Sequence, residues 1–107
     1  MTKRTKALDI SPIVRAEVYE RDSFDGHPCC VISGKPYNLT IAHYIARSQS
    51  GLGIPMNLVT LSMDVHERFD HGRPNERKQL KRQIREYLIY RYGDLWNEED
   101  LVYKREG

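Results

Sequence analysis

The chain has no apolar run near the length of about twenty residues that a helix needs to cross a bilayer. It has two cysteines, Cys29 and Cys30, and they are adjacent. Neighbouring cysteines would close too tight a ring to pair with each other, so no disulfide framework is expected. The opening MTKRTKALDISP is basic but lacks the apolar stretch of a secretory signal. Membrane insertion and a disulfide-stapled extracellular fold are therefore disfavoured, and a cytoplasmic location is the expectation. Charge is nearly balanced: 17 Lys and Arg against 15 Asp and Glu leave a net +2. Bulk charge therefore selects no partner. Mean hydropathy is −0.67, toward the polar end of globular chains. The 39% of apolar residues still suffices for one small core. Internal repeats and low-complexity segments are absent.

At 107 residues the expectation is a single domain over 11–107, preceded by a basic and loosely held arm over 1–10. Ser11-Pro12 is a helix start, with serine as N-cap and proline at the first helical position. Ile13, Val14, Ala16, Val18 and Tyr19 supply an apolar face as far as Arg21. Residues 22–28 read as a loop, Cys29–Ile32 as a short strand and residues 33–36 as a turn. Alternation then marks a strand with Leu39 and Ile41 on one face and Thr40 and Ala42 on the other. Residues 46–56, with Gly51, Gly53 and Pro55, form a loop that leads to a return strand over Leu58–Leu61. Ser62 is an N-cap, with Asp64 in the first turn of a short helix that ends at Gly72 and Pro74. A longer helix follows over 75–92, with Leu80, Ile84, Tyr87, Leu88 and Leu95 as its apolar stripe. Gly93 stops it, and Trp96, Leu101, Val102 and Tyr103 are expected to dock the tail back on the core. The fold class is α+β.

Three residues in the middle third carry the chemistry: His43 at a strand end, Asn57 at a loop-to-strand junction, and His66 on the short helix. In that order, on a strand–loop–strand–helix frame, they resemble the HNH (ββα-metal) nuclease motif, and the resemblance implies cutting of a phosphodiester, which needs an activated water, neutralisation of charge at the phosphate, and help for the leaving 3′ oxygen. A neutral imidazole supplies the first, and one divalent cation supplies the other two. His43 is the candidate general base. Asn57 could fix the loop through backbone hydrogen bonds, or its carbonyl oxygen could meet the metal. His66 is the leading metal ligand. Asp70 lies one helical turn further on the same face, where the two can share a cation. His71 points elsewhere by helix geometry. Mg²⁺, Mn²⁺, Ni²⁺ and Zn²⁺ all suit such a donor set.

The stretches ISPIVRAEVYERD, PCCVISGKPYNLTIAHYIARSQSGLGIPMNLVTLSMDVHERFDHG and REYLIYRYGDLWNEEDLVYKRE together resemble the small HNH-domain proteins of bacteriophages and prophages. The resemblance implies a ββα-metal (His-Me finger, or HNH) core with an N-terminal and a C-terminal helix, inside a bacterial host cell. It implies His43 as base, Asn57 as loop organiser or ligand, and His66 as ligand. Two departures stand out. Many relatives hold a structural zinc on two Cys-x-x-Cys knuckles. Here these read Cys30-Val31-Ile32-Ser33 and Ser62-Met63-Asp64-Val65, and serine and valine cannot replace thiolates, so no structural zinc is expected. The family often has Asp or His as a metal ligand just before the base, where this chain has Ala42.

Basic residues cluster after the motif. Arg68, Arg73, Arg77, Lys78, Lys81, Arg82, Arg85 and Arg91 are offset between residues 68 and 91 only by Asp70, Glu76 and Glu86. With Arg47 beside His43, the residues Arg68, Arg73, Arg77, Lys78 and Lys81 are the candidate contacts to a DNA backbone. The expected function is a metal-dependent DNA endonuclease. The competing expectation is a nuclease-derived protein that binds DNA, or a phage or host protein, as an inhibitor or packaging accessory.

Overall fold

Residues 39–43 and 58–62 pair antiparallel, and the rest of the chain is arranged by what covers the two faces of that hairpin. A computed structural model describes residues 2–105. In chain order its elements are α1 (Lys3–Leu8), α2 (Pro12–Arg21), β1 (Ser23–Phe24), β2 (His27–Pro28), β3 (Leu39–His43), β4 (Leu58–Ser62), α3 (Met63–His71) and α4 (Pro74–Tyr92). The fold is α+β, with two small antiparallel sheets, β1–β2 and β3–β4. No described helix is long and apolar enough to cross a membrane.

Side chains alternate across a strand, so the hairpin sorts its residues into two sets. Ala42, Val59 and Leu61 join Val65 of α3 and Leu80, Ile84 and Leu88 of α4 in the main core. Ile41 and Leu58 join Val18 of α2 in a smaller one. Both faces of β4 are covered, which is why LVTLS is buried throughout, Thr60 and Ser62 included.

Helix α2 is capped as its sequence predicts: the Ser11 hydroxyl accepts from Val14 N–H at 3.1 Å. The spacing of Leu80, Ile84 and Leu88 lays one buried stripe along α4. Leu95 leaves that stripe and is 74% exposed, because Gly93 ends α4 at a φ of +59° and turns the chain. Trp96 fills the position instead, donating its indole N–H to the Met56 carbonyl at 2.8 Å. The tail docks as expected, through Leu52 N–H to Leu101 O at 2.8 Å and Tyr103 N–H to Ser50 O at 2.8 Å.

Three local expectations are corrected. The arm is not loose: residues 3–8 form α1, capped by the Thr2 hydroxyl, because Leu8 gives it an apolar anchor that is 2% exposed. The loop over 22–28 contains the β1–β2 hairpin. Its turn is Asp25-Gly26, both at positive φ (53° and 82°), the pairing a two-residue hairpin turn demands. Cys29–Ile32 is a turn rather than a strand: Gly34 N–H bonds back to Cys30 O, and only Val31 N–H reaches β4, at Thr60 O. Residues 1, 106 and 107, at the ends of the expected spans, lie outside the described residues.

Candidate functional site

His43 ends β3 opposite Leu58, on the hairpin face turned toward the N-terminal segments. Its Nε2 lies 3.0 Å from the Leu8 carbonyl oxygen. A carbonyl can only accept, so Nε2 carries the ring hydrogen. The lone pair of the neutral ring is then on Nδ1, which has no protein partner among the described residues and is not sealed from solvent. Burial holds the His43 pKa below its ordinary value; the Leu8 carbonyl opposes this, and the positive neighbour Arg47 adds to it. Near neutral pH the ring is therefore an unprotonated base with its free nitrogen defined.

His66 lies on the other side of the hairpin, where α3 packs. Its Nδ1 is 2.7 Å from the Thr40 hydroxyl, and its Nε2 is 3.2 Å from a carboxylate oxygen of Asp70, four residues along the helix. Two hydrogen arrangements satisfy this chain. In one, the Thr40 hydroxyl donates to Nδ1, and Nε2–H donates to Asp70. In the other, Nδ1–H donates to Thr40, whose own hydrogen goes to Leu61 O at 3.2 Å, and the Nε2 lone pair faces Asp70. That lone pair and the carboxylate are both electron-pair donors, so in this arrangement His66 and Asp70 could share a divalent ion as an imidazole–carboxylate pair. Among the described residues no group of three or more His, Cys, Asp or Glu side chains converges. Ala42 shares the α3-facing side of β3 with Thr40 and is a buried core residue.

Asn57 takes the first of its two expected roles. Its side chain is fully buried. Oδ1 accepts from Ile45 N–H at 2.8 Å, and Nδ2 donates to Ile45 O at 3.1 Å and Leu52 O at 2.9 Å. The amide is spent on closing the 45–57 loop and is not turned to His66 or Asp70, which corrects its expected place among the metal ligands. The same loop needs glycine at 51, where a Cβ would lie 1.6 Å from Ile45 O.

A groove of about 440 Å³ opens beside His43 and is lined by Asp70, Arg77, Lys78 and Lys81, with Phe69, Ser48 and Gln49 completing its wall. Lys81 also lies over the Tyr44 ring, 5.0 Å from its centre. Of the basic residues singled out from the sequence, these three reach the groove. Arg47 is instead held by Asp9 at 2.7 Å, Arg68 leans on Glu76 at 3.8 Å, and Arg73 precedes α4 as its N-cap residue. A separate hollow of about 430 Å³ between β1, the 29–34 turn and α4 holds none of the candidate residues.

Two participants were not singled out from the sequence. Thr40 was placed on the correct strand face, and that face meets α3, so its contact with His66 was within reach of the alternation. The Leu8 carbonyl had no signal, because a backbone atom of a distant segment leaves none. No protein family and no curated protein gives a match to this chain.

Proposed function

We propose that the chain is a small metal-dependent HNH endonuclease that hydrolyses DNA phosphodiester bonds, with β3, β4 and α3 as a ββα-metal core. One observation carries the reading: His43 has its hydrogen tied to Leu8, leaving Nδ1 free, and lines a groove bearing Arg77, Lys78 and Lys81. In this reading the groove lysines and arginine hold the phosphates on either side of the scissile bond without reading bases. Nδ1 of His43 takes a proton from water as the water oxygen bonds to phosphorus. The bond from phosphorus to the 3′ oxygen breaks, and that oxygen leaves with a proton from solvent. His66 and Asp70 would hold a divalent cation, which supplies charge neutralisation at the phosphate and at the leaving oxygen. Asn57 keeps the loop between β3 and β4 closed, so that the groove wall and His43 stay in register.

The test is nicking of supercoiled plasmid with Mg²⁺, Mn²⁺, Ni²⁺ or Zn²⁺. Wild type should nick with at least one of these ions, and His43→Ala should lose about 10²–10⁴-fold, the usual worth of a general base. Equal rates in the two proteins, or none in either with any metal, would overturn the reading in favour of a nuclease-derived binding protein. The buried Ala42 is the observation that favours this second reading, since it leaves two protein ligands for the cation instead of three.

A further inference from the structure

Two large aromatic side chains stand in water at the hollow between the β1–β2 hairpin and α4. Phe24 of β1 is 79% exposed and Tyr90 of α4 is 80% exposed, and both line the hollow. Neither belongs to a core cluster. A ring left in water forgoes about 1.5–3 kcal/mol of burial. The hollow measures about 430 Å³, the size of a small-ligand pocket. Arg91 forms part of its wall. Arg91 Nε donates to the Tyr87 hydroxyl at 3.1 Å, Nη2 donates to the Arg21 carbonyl, and the guanidinium lies over the Tyr87 ring, 5.7 Å from its centre.

All the partners that hold Arg91 are neutral. Among the described residues no carboxylate pairs with it, whereas the other two charges of the hollow, Arg21 and Asp22, neutralise each other. The hollow thus combines an immobilised, uncompensated cation with two unused aromatic faces. That wall is complementary to a flat ring joined to an anion, which is the chemistry of a nucleotide: the base stacks and the phosphate meets the guanidinium. Arg91 lies on the helix that carries Arg77, Lys78 and Lys81, ten residues or about 15 Å beyond Lys81. At about 100° per residue, Tyr87 and Tyr90 fall on one side of the buried stripe of Leu80, Ile84 and Leu88, and Lys78 and Lys81 fall on the other. A strand that touches both sides must cross the exposed face of α4, past Arg82 and Arg85. A flexible single strand makes that turn, and a duplex is too stiff for it.

We propose that this hollow binds an unpaired nucleotide of a DNA strand, its base stacked on Phe24 and Tyr90 and its phosphate on Arg91. The substrate class that follows is DNA with a single-stranded tail: the duplex lies in the groove beside His43, and the tail runs over α4 into the hollow. The inference deepens the nuclease reading and rests on it for the effect on cleavage, but the binding is measured without metal or cleavage. Stacking accepts any base, so the hollow selects for an unpaired nucleotide and not for a sequence.

The experiment uses the full chain in chelator, with fluorescence anisotropy on a blunt duplex and on the same duplex carrying a single-stranded tail. Wild type should bind the tailed duplex about tenfold tighter, the scale of one stacked base. Phe24→Ala and Tyr90→Ala, both at exposed positions that leave the core intact, should each abolish that preference while binding the blunt duplex as before. A fluorescent adenine analogue in the tail should be quenched by wild type and not by these variants. Arg91→Gln should lower the slope of log affinity against log salt by about 0.7 for the tailed duplex, the share of one phosphate on a single strand; the two alanine variants should leave the slope unchanged. Equal affinity of wild type for the two duplexes would overturn the proposal. So would a tail preference unchanged in Phe24→Ala and Tyr90→Ala, which would leave the two rings to a protein partner. Thymidine monophosphate that displaces the tail at concentrations near the Kd of the tailed duplex would make the hollow a site for free nucleotides and overturn its assignment to a strand. A tail preference lost in the variants, with no nicking by any of these proteins once metal is added, supports the nucleotide site and overturns the nuclease reading alone.

Discussion

Arg21 and Asp22, neighbours in sequence, close a two-point ion pair inside the protein, Nε to Oδ1 at 2.7 Å and Nη2 to Oδ2 at 2.9 Å. The Asp22 side chain has no exposure and that of Arg21 has 12%. Each charge is also spent elsewhere. Asp22 accepts from Thr60 N–H at 2.8 Å and from the Tyr87 hydroxyl. Arg21 donates to Pro55 O at 2.7 Å, Leu58 O at 2.6 Å and the Tyr92 hydroxyl at 3.0 Å. Burial alone would lower the Arg21 pKa, but Asp22 more than offsets it and the group is held above its ordinary value. One pair thereby joins α2, β4 and α4.

Removing one partner of a buried pair strands the other, which typically costs about 3–5 kcal/mol. Asp22→Ala is expected to lose that much in urea unfolding, a large share of the roughly 5–15 kcal/mol that holds a domain together. A loss under about 1 kcal/mol, the range of surface ion pairs, would mean the pair contributes as though it were exposed.

The elements that follow local rules were legible in the sequence. Ser11-Pro12 set the start of α2, the alternation through Leu39–His43 set β3, and the spacing of Leu80, Ile84 and Leu88 set the buried face of α4. The misses have physical causes. The Asp25-Gly26 hairpin is so short that its strands carry no periodicity. Helix α1 owes its docking to a single buried leucine and a glycine 45 positions away. In the site, the order of His43, Asn57 and His66 was legible, but how each atom is used was not. Whether the Asn57 amide meets a cation or closes a loop depends on where Ile45 and Leu52 lie, which sequence spacing does not fix.

Asn57→Ala separates those two roles. The substitution removes three hydrogen bonds and leaves Ile45 N–H, Ile45 O and Leu52 O without their partner. Each buried group left unpaired costs about 1–3 kcal/mol, so a stability loss of about 3 kcal/mol or more is expected, with hydrogen exchange rising first over residues 45–57. Mn²⁺ affinity of the folded variant should stay at the wild-type level in isothermal titration. A loss of metal affinity with stability intact would instead make Asn57 a ligand.

His43 gives a pH dependence whose sign is fixed. The folded ring protonates only below the ordinary value of 6.5, whereas the unfolded chain protonates near it. Between those two points the unfolded state binds more protons, so stability rises with pH. The contribution of His43 is complete above about 6.5 and is lost as pH falls through the folded pKa. The same depression keeps Nδ1 free, so the acid limb of kcat/KM should lie below 6.5. Thermal unfolding of wild type and His43→Phe between pH 5 and 8 checks the first statement: the variant should lack the slope. An acid limb above 6.5 would remove His43 from the role of base.

Of the positions Cys30, Ser33, Ser62 and Val65, only the first is cysteine, and the first three lie close together. Cys30 Sγ accepts from Ser33 N–H at 3.3 Å, the Ser33 and Ser62 hydroxyl oxygens lie 3.4 Å apart, and Val65 is buried in the same cluster as Cys30. Burial raises the Cys30 thiol pKa, but hydrogen bonds from Ser33, Ser62 and Ile32 outweigh it and hold the thiol below its ordinary value, which suits a thiolate. Four thiolates at about 2.3 Å from a tetrahedral zinc stand about 3.8 Å apart, close to the separation the two serines already have. Ser33→Cys/Ser62→Cys/Val65→Cys is therefore expected to bind one zinc ion by equilibrium dialysis. It should gain about 2.7 kcal/mol at free zinc a hundredfold above its Kd, a gain that a chelator reverses. Absence of stoichiometric zinc in the folded triple variant would mean that the backbone of the 30–33 turn has moved away from the start of α3 too far for a metal to bridge them.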